Sequence, residues 1–346
     1  MISFDRIEER AEGFGFDIVG VTPLKRSSQA AAFSRWLRAG QSAEMDWLKR
    51  NSSERIDPRK RFPDYRTVVS LAVNYYQADW PADIKNDPSR GLIARYAWSK
   101  DYHQVILDNL KKFIDWLMEQ TSDKVLARPY VDTGPLLERS MANEAGLGWT
   151  GRNANLINNK LGSYLFLAEI LVDQEIGNNQ NKVIGSCGQC RRCIDTCPTK
   201  ALVEERVLDA NKCLAYQTIE QKGSIPAEIR PLMKNRIFGC DICQEICPWN
   251  KKAKPTIFGQ ENVDWQQAAP PLLSIVNLTA TEFRRRFAGT PVLRARRAGF
   301  QRNVIVALGN WGDKRGVPAI EKAIKEDPSE MVREHARWAR GQIINT

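Results

Sequence analysis

The chain has 346 residues, of which 42% are hydrophobic and 27% charged, with a formal net charge of +10. This length exceeds one ordinary domain, and the composition excludes a largely disordered chain. The first residues contain no secretion or twin-arginine signal, and no apolar run reaches about 18 residues, so we expect a cytoplasmic protein without a membrane span. The positive charge favours nucleic acid as a partner; the alternative is a basic protein that is merely soluble.

Residues 1–175 contain no cysteine and alternate strand and helix patterns. Strands are expected to begin near Asp17, Thr67, Lys124 and Gly162. Helices are expected after a capping Ser3, over 101–120, and after the turn at 133–135. This alternation predicts a layered domain, in a multidomain protein of the α/β or α+β class.

All eight cysteines lie within residues 176–255, where strand and helix signals are weak. The first run is C-x2-C-x2-C-x3-C-P, which is the bacterial ferredoxin signature, and a later C-x2-C-x3-C-P run follows a single intervening cysteine. In such domains the fourth cysteine of a run ligates the other cluster, and we expect it to begin a helix that points away. The crossed assignment gives one 4Fe–4S cluster to Cys187, Cys190, Cys193 and Cys247, and the other to Cys197, Cys213, Cys240 and Cys243.

Two structural zinc sites would also use eight cysteines and are the alternative to clusters. Zinc ribbons, however, use separated C-x2-C pairs and need no third cysteine three residues on. Disulfides are not expected in a protein of the cytosol. The spacing therefore favours two clusters held side by side. They would form either an electron-transfer path to a reactive centre in the same protein or the redox centres of a simple electron carrier.

Residues 256–346 have helical patterns. The stretch from 302 to 343 reads as two antiparallel helices, one ending at Gly312-Asp313 and the next opening at Asp327-Pro328. Its segments ALGNWGD and VREHARWA resemble HEAT-type repeats. A single repeat cannot bury its own core. We expect these helices to pack on the preceding domain.

An arginine-rich segment runs from Phe283 to Arg302 and contains no acid. Its arginines are Arg284, Arg285, Arg286, Arg294, Arg296, Arg297 and Arg302. Guanidinium groups match phosphate geometry and stay charged, so these side chains are candidates for nucleic-acid contacts. The alternative is a solvated helix face or pairing with acids elsewhere, while Phe283, Phe287 and Phe300 anchor the segment to the core.

The segment YVDTGPLLERSMANEAGLGWTGRN, residues 130–153, is densely charged beside apolar strands. Asp132 ends a predicted strand before a turn, where an aspartate is usually an N-cap or turn former. The nearby charges of Glu138 and Arg139, and glycines that let a flat ligand approach the backbone, favour a catalytic alternative. The cysteine-free domain is also larger than a ferredoxin needs for packing. We therefore expect the electron-transfer path through the two clusters to end at a reactive centre in that domain.

The order VDTGPLLER, GRN, GSYLFLAE, the first cysteine run and CDICQEICPWN resembles the epoxyqueuosine reductase family along the whole chain. That family is related to cobalamin-dependent reductive dehalogenases. The resemblance implies a base-off cobalamin between the α/β and cluster domains, fed with electrons by the two clusters. It also implies reduction of epoxyqueuosine to queuosine at the wobble position of a tRNA, the last step of queuosine biosynthesis. The implied domains are 1–175 for cobalamin and catalysis, 176–255 for the clusters, and 256–346 for HEAT-like tRNA binding.

The resemblance also assigns individual residues. Asp132 matches the proton donor, and Lys222 matches a tRNA contact that the arginine-rich segment would supplement at the anticodon stem-loop. Cofactor contacts are implied at Arg55, Ala94, Asp132, Leu156, Leu167, Ala215, Cys240, Asp241, Ile242 and Cys243. His103 has the Asp-x-His start of a cobalt-ligand motif without the later glycine, so we expect an ordinary helix-start residue and no histidine on cobalt.

An aspartate with an ordinary pKa of about 3.9 is charged near pH 7. A proton donor at Asp132 therefore predicts a pKa raised by about three units, or about 4 kcal/mol, through burial against the corrin and an apolar wall. Two other classes of function remain open at this stage: a reductive dehalogenase-like enzyme acting on a small molecule, and a ferredoxin-type electron carrier. A monomer that uses an external electron donor is expected in the tRNA-modifying case.

Overall fold

A computed structural model describes residues 3–120, 125–177, 183, 185–256, 258 and 262–344. Its strands are β1 (Ile18–Pro23), β2 (Thr67–Asn74), β3 (Leu92–Ile93), β4 (Ala127–Tyr130), β5 (Trp149–Thr150), β6 (Leu156–Ile157), β7 (Leu165–Val172), β8 (Leu202–Glu204), β9 (Val207–Leu208) and β10 (Arg236–Phe238). The main sheet has the order β1-β2-β7-β4, and every pairing in it is antiparallel. The four strands expected from the β-branched runs are thus confirmed, although position 124 lies outside the described residues. The antiparallel sheet places this region on the α+β side of the expected fold class.

The first seven helices accompany this sheet: α1 (Phe4–Ala11), α2 (Ala30–Arg38), α3 (Asp46–Arg50), α4 (Ser52–Ile56), α5 (Ala82–Lys85), α6 (Tyr102–Glu119) and α7 (Glu138–Glu144). Apolar residues at helical spacing, among them Ile106, Leu110 and Phe113, bury one side of α6 against the sheet, as expected. Ser3 occupies the N-cap position of α1, but its side chain makes no capping hydrogen bond, so that expectation was wrong.

The opposite face of the sheet is covered by α7. A Cβ atom on Gly20 of β1 would lie only 2.2 Å from the Ala145 carbonyl oxygen just after α7. Glycine is therefore required at this close approach. Because α7 follows the loop after β4, this packing brings that loop to the edge of the sheet.

The cysteine-bearing region contains four short helices: α8 (Arg192–Thr196), α9 (Leu214–Ile219), α10 (Arg230–Met233) and α11 (Ile242–Glu245). Cys197 directly follows α8 and terminates it, which corrects the expectation that this cysteine begins a helix. Cys213 and Cys247 instead precede helical turns. In addition, β10 pairs in parallel with β3, so the cysteine region is joined to the first region by backbone hydrogen bonds.

The remaining helices are α12 (Trp265–Ala268), α13 (Leu272–Ile275), α14 (Ala280–Arg286), α15 (Arg296–Trp311), α16 (Val317–Glu326) and α17 (Glu330–Ile344). The expected antiparallel pair is instead three helices, because α16 lies between the two that were expected. Phe283, Phe287 and Phe300 form one buried aromatic cluster, with ring centroids 4.7–5.4 Å apart, so their anchoring role is confirmed.

The core around these helices also includes side chains from earlier in the chain, such as Ile93, Trp98 and Phe238. The C-terminal helices therefore pack on residues of both preceding regions, as expected for helices that cannot bury a core alone. No helix within the described residues has the length and apolarity needed to span a bilayer.

Candidate active site and cluster centres

Asp132 lies in the loop between β4 and α7, with a backbone φ of 58°. A residue with a Cβ atom rarely adopts this left-handed conformation, and such strain concentrates at functional sites. Its side chain is 58% exposed, yet surrounding protein atoms still desolvate the carboxylate. Both properties fit a side chain on the wall of a cleft.

The Asp132 carboxylate receives two hydrogen bonds from the start of α6. The Tyr102 hydroxyl donates to Asp132 Oδ2 at 3.0 Å, and His103 Nε2 lies 3.3 Å from the same oxygen. The other imidazole nitrogen, Nδ1, is 2.7 Å from Oδ1 of Asp101. An imidazole with a carboxylate at each nitrogen can donate from both only when it is protonated.

These contacts set the protonation of the site. The His103 hydrogen bond is the main reason that the pKa of Asp132 falls below its ordinary value; desolvation opposes it, and Tyr102 assists it. In turn, the hydrogen bond to Asp132 raises the pKa of His103, with Asp101 contributing in the same direction. The protein's own residues therefore lower the pKa of Asp132, and the rise expected from burial against a corrin stays a prediction. The contact favours a protonated His103 beside an ionised Asp132.

Beneath this loop, two glutamates face the α7 side of the sheet. Glu138, at the start of α7, accepts a hydrogen bond from the Asp132 backbone N–H, and burial raises its pKa to about 8. Glu169 on β7 is fully buried beside Ser70 of β2, and neither carboxylate oxygen has a partner among the described residues. Burial, reinforced by the charges of Glu138 and Asp132, raises the pKa of Glu169 well above its ordinary value. Burial thus favours the neutral form of Glu169.

Arg55 and Arg139 carry the positive charges of this loop. Buried Arg55 donates to the Leu136 carbonyl oxygen at 3.0 Å and stacks over Trp47 with its guanidinium carbon 5.3 Å from the ring centroid. Arg139 donates to the Ala154 carbonyl oxygen. Desolvation lowers the pKa of both arginines, while Glu138 and Asp132 oppose that change. The structure therefore brings Arg55 to the electrostatic environment of Asp132.

The other expected cofactor contacts lie in two places, near the turn from Cys240 to Cys243 and on the α7 side of the sheet. Ala94 lines one pocket together with Cys240, Asp241 and Ile242. Leu156 and Leu167 share an apolar cluster on the α7 side of the sheet. Ala215 is half-buried and directs its backbone N–H toward the Cys213 thiol, beside Cys240 and Cys243.

Aromatic side chains connect the region of the Cys240–Cys243 turn to the start of α6, beside Asp132. Tyr96 lies between Phe238 of β10 and Tyr102 of α6, with ring centroids 5.9 Å and 6.3 Å away. Burial raises the pKa of Tyr96 well above its ordinary value, and the charges of Asp241 and Asp132 both act on it. The cleft at Asp132 is therefore adjacent to the turn that carries Cys240 and Cys243.

The two expected cysteine sets are each brought together. One pocket is lined by Cys187, Cys190, Cys193 and Cys247. In the other set, Cys243 interacts electrostatically with Cys240 and Cys213, and Cys213 interacts with Cys197. All eight are free thiols. Burial raises the pKa of Cys240 to about 12, so this thiol would stay protonated without a bound cation.

Backbone N–H groups point at several of these sulfurs. Arg152 donates to Cys187 Sγ at 3.4 Å, and Ala201 donates to Cys197 Sγ at 3.3 Å. Within the described part of the chain, no three Cys, His, Asp or Glu side chains come close enough to share one ion. Zinc would need four thiolates at about 2.3 Å from a single ion. Thiols gathered around a wider space, with N–H donors aimed at sulfur, fit iron–sulfur clusters better.

The surroundings of Asp132 also fit a large, mostly flat ligand. Leu165 and Leu167 of the central strand remain only half-buried, which leaves an apolar wall. Nε of Arg55 and Oε1 of Glu138 are buried and lack hydrogen-bond partners among the described residues. An apolar surface bordered by unsatisfied polar atoms suits a corrin ring with amide side chains.

The residues expected to contact RNA differ in how exposed their side chains are and in whether they are paired with acids. Lys222 is exposed, as are Arg284, Arg285 and Arg296, and Arg286 donates to the Gln266 carbonyl oxygen at 3.1 Å. Arg294 pairs with Glu220 at 2.9 Å, and its charge acts on Asp132, which places it near the cleft. Arg297 pairs with the buried Asp327 at 2.6 Å and holds α15 against the end of α16.

Arg302 is fully buried, so its expected contact with RNA was wrong. Its guanidinium donates to the Gln221 and Gly223 carbonyl oxygens at 2.9 and 2.5 Å and to the Gln217 carbonyl oxygen at 2.6 Å. These bonds hold the loop that carries Lys222. Arg302 is therefore a positioning residue for that loop.

Sequence reasoning missed the roles of His103, Tyr102 and Glu169. His103 does begin a helix, but its contact with Asp132 shows that it is not an ordinary helix-start residue. The Asp-x-His pattern was the available signal, and it indicated a metal ligand rather than a carboxylate partner. Glu169 interrupts an otherwise apolar strand, which was the signal for a buried acid.

Residues 55–133 match the family described as "Epoxyqueuosine reductase QueG, DUF1730", and residues 186–250 match the "4Fe-4S double cluster binding domain". The chain is 38% identical over 336 residues to the epoxyqueuosine reductase of Pseudomonas aeruginosa, covering 96% of this chain and 92% of that protein. The structure of epoxyqueuosine reductase from Streptococcus thermophilus matches with a TM-score of 0.88 and 30% identity, covering 99% of this chain and 90% of the other. A crystal structure of epoxyqueuosine reductase with a tRNA-Tyr epoxyqueuosine-modified stem loop matches with a TM-score of 0.87 and 29% identity, covering 98% and 89%.

Proposed function

The chain belongs to the epoxyqueuosine reductase family, and from this premise we propose that it reduces epoxyqueuosine to queuosine at the wobble position of tRNA. The observation that carries the proposal is the pairing of Asp132 with His103 on a cleft that adjoins the Cys240–Cys243 turn. Removal of an epoxide oxygen needs two electrons and two protons. The cleft has a proton source on one side and a thiol-rich electron path on the other.

The matching cluster domain supports two 4Fe–4S clusters as the electron path. We propose that the two cysteine sets ligate them as the crossed spacing predicts, and that cobalamin lies base-off in the cleft. Bound cobalamin would supply the two-electron reducing chemistry at carbon that side chains lack. Arg55, Leu156, Leu167, Ala94 and the turn from 240 to 243 would hold it, with no histidine on cobalt.

The chain's own residues would deliver the two protons one after the other, and His103 would regain a proton from solvent between the two transfers. The departing epoxide oxygen gains negative charge and needs a donor within hydrogen-bond reach. Closure of the cleft over substrate removes water from Asp132 and raises the proton affinity of its carboxylate. The proton can then pass from Nε2 of His103 to Asp132 and on to that oxygen, while Tyr102 keeps the carboxylate oriented.

An anticodon stem-loop is the expected RNA partner, because unpaired bases can be splayed into a pocket while phosphates bind basic side chains. Lys222 and the exposed arginines Arg284, Arg285 and Arg296 are the proposed phosphate contacts. Arg294 is the basic side chain nearest the cleft, and it is a candidate for the nucleotides adjoining the wobble base. This substrate also supports a cytoplasmic enzyme, and we propose that it acts as a monomer with an external electron donor.

The alternative functions receive less support. A ferredoxin-type carrier does not need the strained Asp132 loop or its hydrogen-bonded histidine. Membership of a tRNA-modifying family over nearly the whole chain also favours an RNA substrate over a small halogenated molecule.

The test is a single-turnover assay on epoxyqueuosine-containing tRNA. Protein purified without oxygen, reconstituted with iron, sulfide and cobalamin, and reduced with dithionite is mixed with the tRNA, and the nucleosides are identified by mass spectrometry. We expect loss of one oxygen from epoxyqueuosine and formation of queuosine. Unchanged nucleoside in protein that holds both clusters and corrin would contradict the proposed function.

A further inference from the structure

The cysteine set of Cys187, Cys190, Cys193 and Cys247 lies near the surface, with three of its side chains half-buried and Cys247 buried. Its pocket is also lined by Arg152, Asn153, Ile157, Arg192, Pro248 and Trp249. The loop between its first ligands is open to solvent, with Ser186, Gly188 and Gln189 exposed. The set that contains Cys240 and Cys243 instead adjoins the Asp241–Tyr96–Asp132 connection.

The exposed side chains around the surface set are basic. Arg191 and Arg192 lie between two of its ligands, and Lys251 and Lys252 follow the fourth ligand on one helical turn. Positions 186–197 and 247–252 together carry these four basic residues and a single acid, Asp195. We call these four residues the basic face.

These side chains are also free to meet a partner. Arg192, Lys251 and Lys252 have no ion pair or side-chain hydrogen bond with any residue that the structure describes. Arg191 has only a loose pair with Asp195 at 3.9 Å, in which both side chains are more than half exposed. Elsewhere, arginines such as Arg230 and Arg297 are paired at 2.5–2.6 Å. Unpaired charges of one sign retain their full long-range field for an incoming molecule.

We propose that the basic face is the docking surface for an acidic protein that carries single electrons, and that electrons pass there to the surface cluster. This inference rests on the proposed function for its use of two clusters. Each docking event oxidises the reduced carrier by one electron and reduces the cluster by one electron, so two events supply one turnover. Charge complementarity steers such encounters and raises association rates by about 10- to 1,000-fold.

The experiment measures reduction of the clusters by stopped-flow absorbance, without tRNA and without turnover. The probe is reduced flavodoxin, an acidic one-electron carrier, and dithionite is the small-molecule comparison. The test variants are the double charge reversals Arg191→Glu with Arg192→Glu, and Lys251→Glu with Lys252→Glu. The matched control reverses two exposed lysines of α16, Lys322→Glu with Lys325→Glu.

We expect each test variant to lower the second-order rate constant with flavodoxin by about 10-fold or more at low salt, and to weaken binding of oxidised flavodoxin measured by calorimetry. Reduction by dithionite and the iron content should match the parent, and the control variant should behave like the parent. Because no RNA is present, these results are independent of whether the enzyme reduces epoxyqueuosine.

Three results would overturn the proposal. The first is reduction of the test variants by flavodoxin at the parental rate. The second concerns the unmodified protein, which needs no variant to fold: its reduction by flavodoxin would show no slowing between about 20 and 300 mM salt. The third is weakened binding of an anticodon stem-loop, rather than of flavodoxin, in the test variants, which would identify the basic face as part of the RNA site.

Discussion

The substitution His103→Gln tests whether the proton for epoxide opening resides on the imidazole. Glutamine can still donate a neutral hydrogen bond to Asp132, which His103 contacts at 3.3 Å, but it cannot carry the proton. His103 is half-buried at the start of α6, where Asp101 caps the helix through the residue 103 backbone N–H. The fold should therefore tolerate the change.

The expected size of the effect follows from the two pKa shifts. In the parent, the hydrogen bond to Asp132 raises the pKa of His103 above its ordinary value, so the pair keeps its proton to higher pH than a free imidazole would. Without His103, the proton must bind Asp132 directly. Loss of the charged hydrogen bond lets the pKa of Asp132 rise from its lowered value toward the ordinary value for an aspartate, about 3.9. An ordinary carboxyl is protonated in a fraction on the order of 10⁻³ to 10⁻⁴ of molecules at pH 7.5, so the rate should fall by about 100-fold or more.

The assay is single turnover with pre-reduced enzyme in excess over tRNA, between pH 5.5 and 8.5, so that electron delivery is not limiting. The parental rate should stay level from acid to neutral pH and fall above the raised pKa of His103. The variant rate should fall about tenfold per pH unit across most of the range and approach the parent only at the acid end. Tyr102→Phe is the matched control, because it removes the 3.0 Å hydrogen bond to the same oxygen but leaves the proton carrier, and its profile should keep the parental shape. Parallel pH profiles for His103→Gln and the parent would refute this reasoning.

Further outcomes can be measured on the same protein. Glu169→Gln should stabilise the protein increasingly as pH rises above about 4.5, because the unfolded carboxyl then ionises while the folded one, whose pKa is raised, stays protonated. Urea unfolding should show a small gain at pH 5 and a much larger gain at pH 9. Arg302→Lys should lower both stability and tRNA affinity, because lysine cannot replace the planar guanidinium that binds three carbonyl oxygens. Lys222→Ala should weaken tRNA binding alone. Equal urea midpoints for Arg302→Lys and the parent would contradict the positioning role of Arg302. Cys213→Ala should reduce the iron content from about eight to about four per chain and slow electron delivery to the cleft, and a retained eight would contradict the crossed ligand assignment.

Local patterns predicted the elements that carry the site. The β-branched runs of β2 and β7 and the apolar periodicity of α6 depend on neighbours within a few residues, which the sequence displays directly. Spacing also predicted the cysteine sets, because loops of two residues between ligands fit one corner of a cluster. The position of Asp132 at the end of a strand was predicted for the same local reason.

Contacts between distant segments could not be predicted in this way. His103 and Asp132 are 29 residues apart, and only the packing of α6 on the sheet brings them together. The arginine-rich segment looked uniformly available because no acid lies within it. The partners of Arg297 and Arg302 come from the end of α16 and from the loop after α9. A charge run specifies how many cations it has, but tertiary contacts decide which of them remain free.

In the proposed mechanism one cleft receives both electrons and protons, and the junction between the Cys240–Cys243 turn and the sheet would fix the electron side. Arg95 is buried there and bonds to Glu245 at 2.7 Å, while its backbone N–H donates to Asp241 at 2.8 Å. A buried cation held by two carboxylates fixes the turn in one position, since moving it would leave charges unpaired. A Cβ atom on Gly239 would lie 2.5 Å from the Cβ of Ala94, so the same turn is also packed in close contact. The electron side is thus rigid, whereas the proton side is a strained loop held by hydrogen bonds from Tyr102 and His103. Substrate that displaces water from the cleft can therefore change the protonation of Asp132 while the distance from cluster to cleft stays fixed.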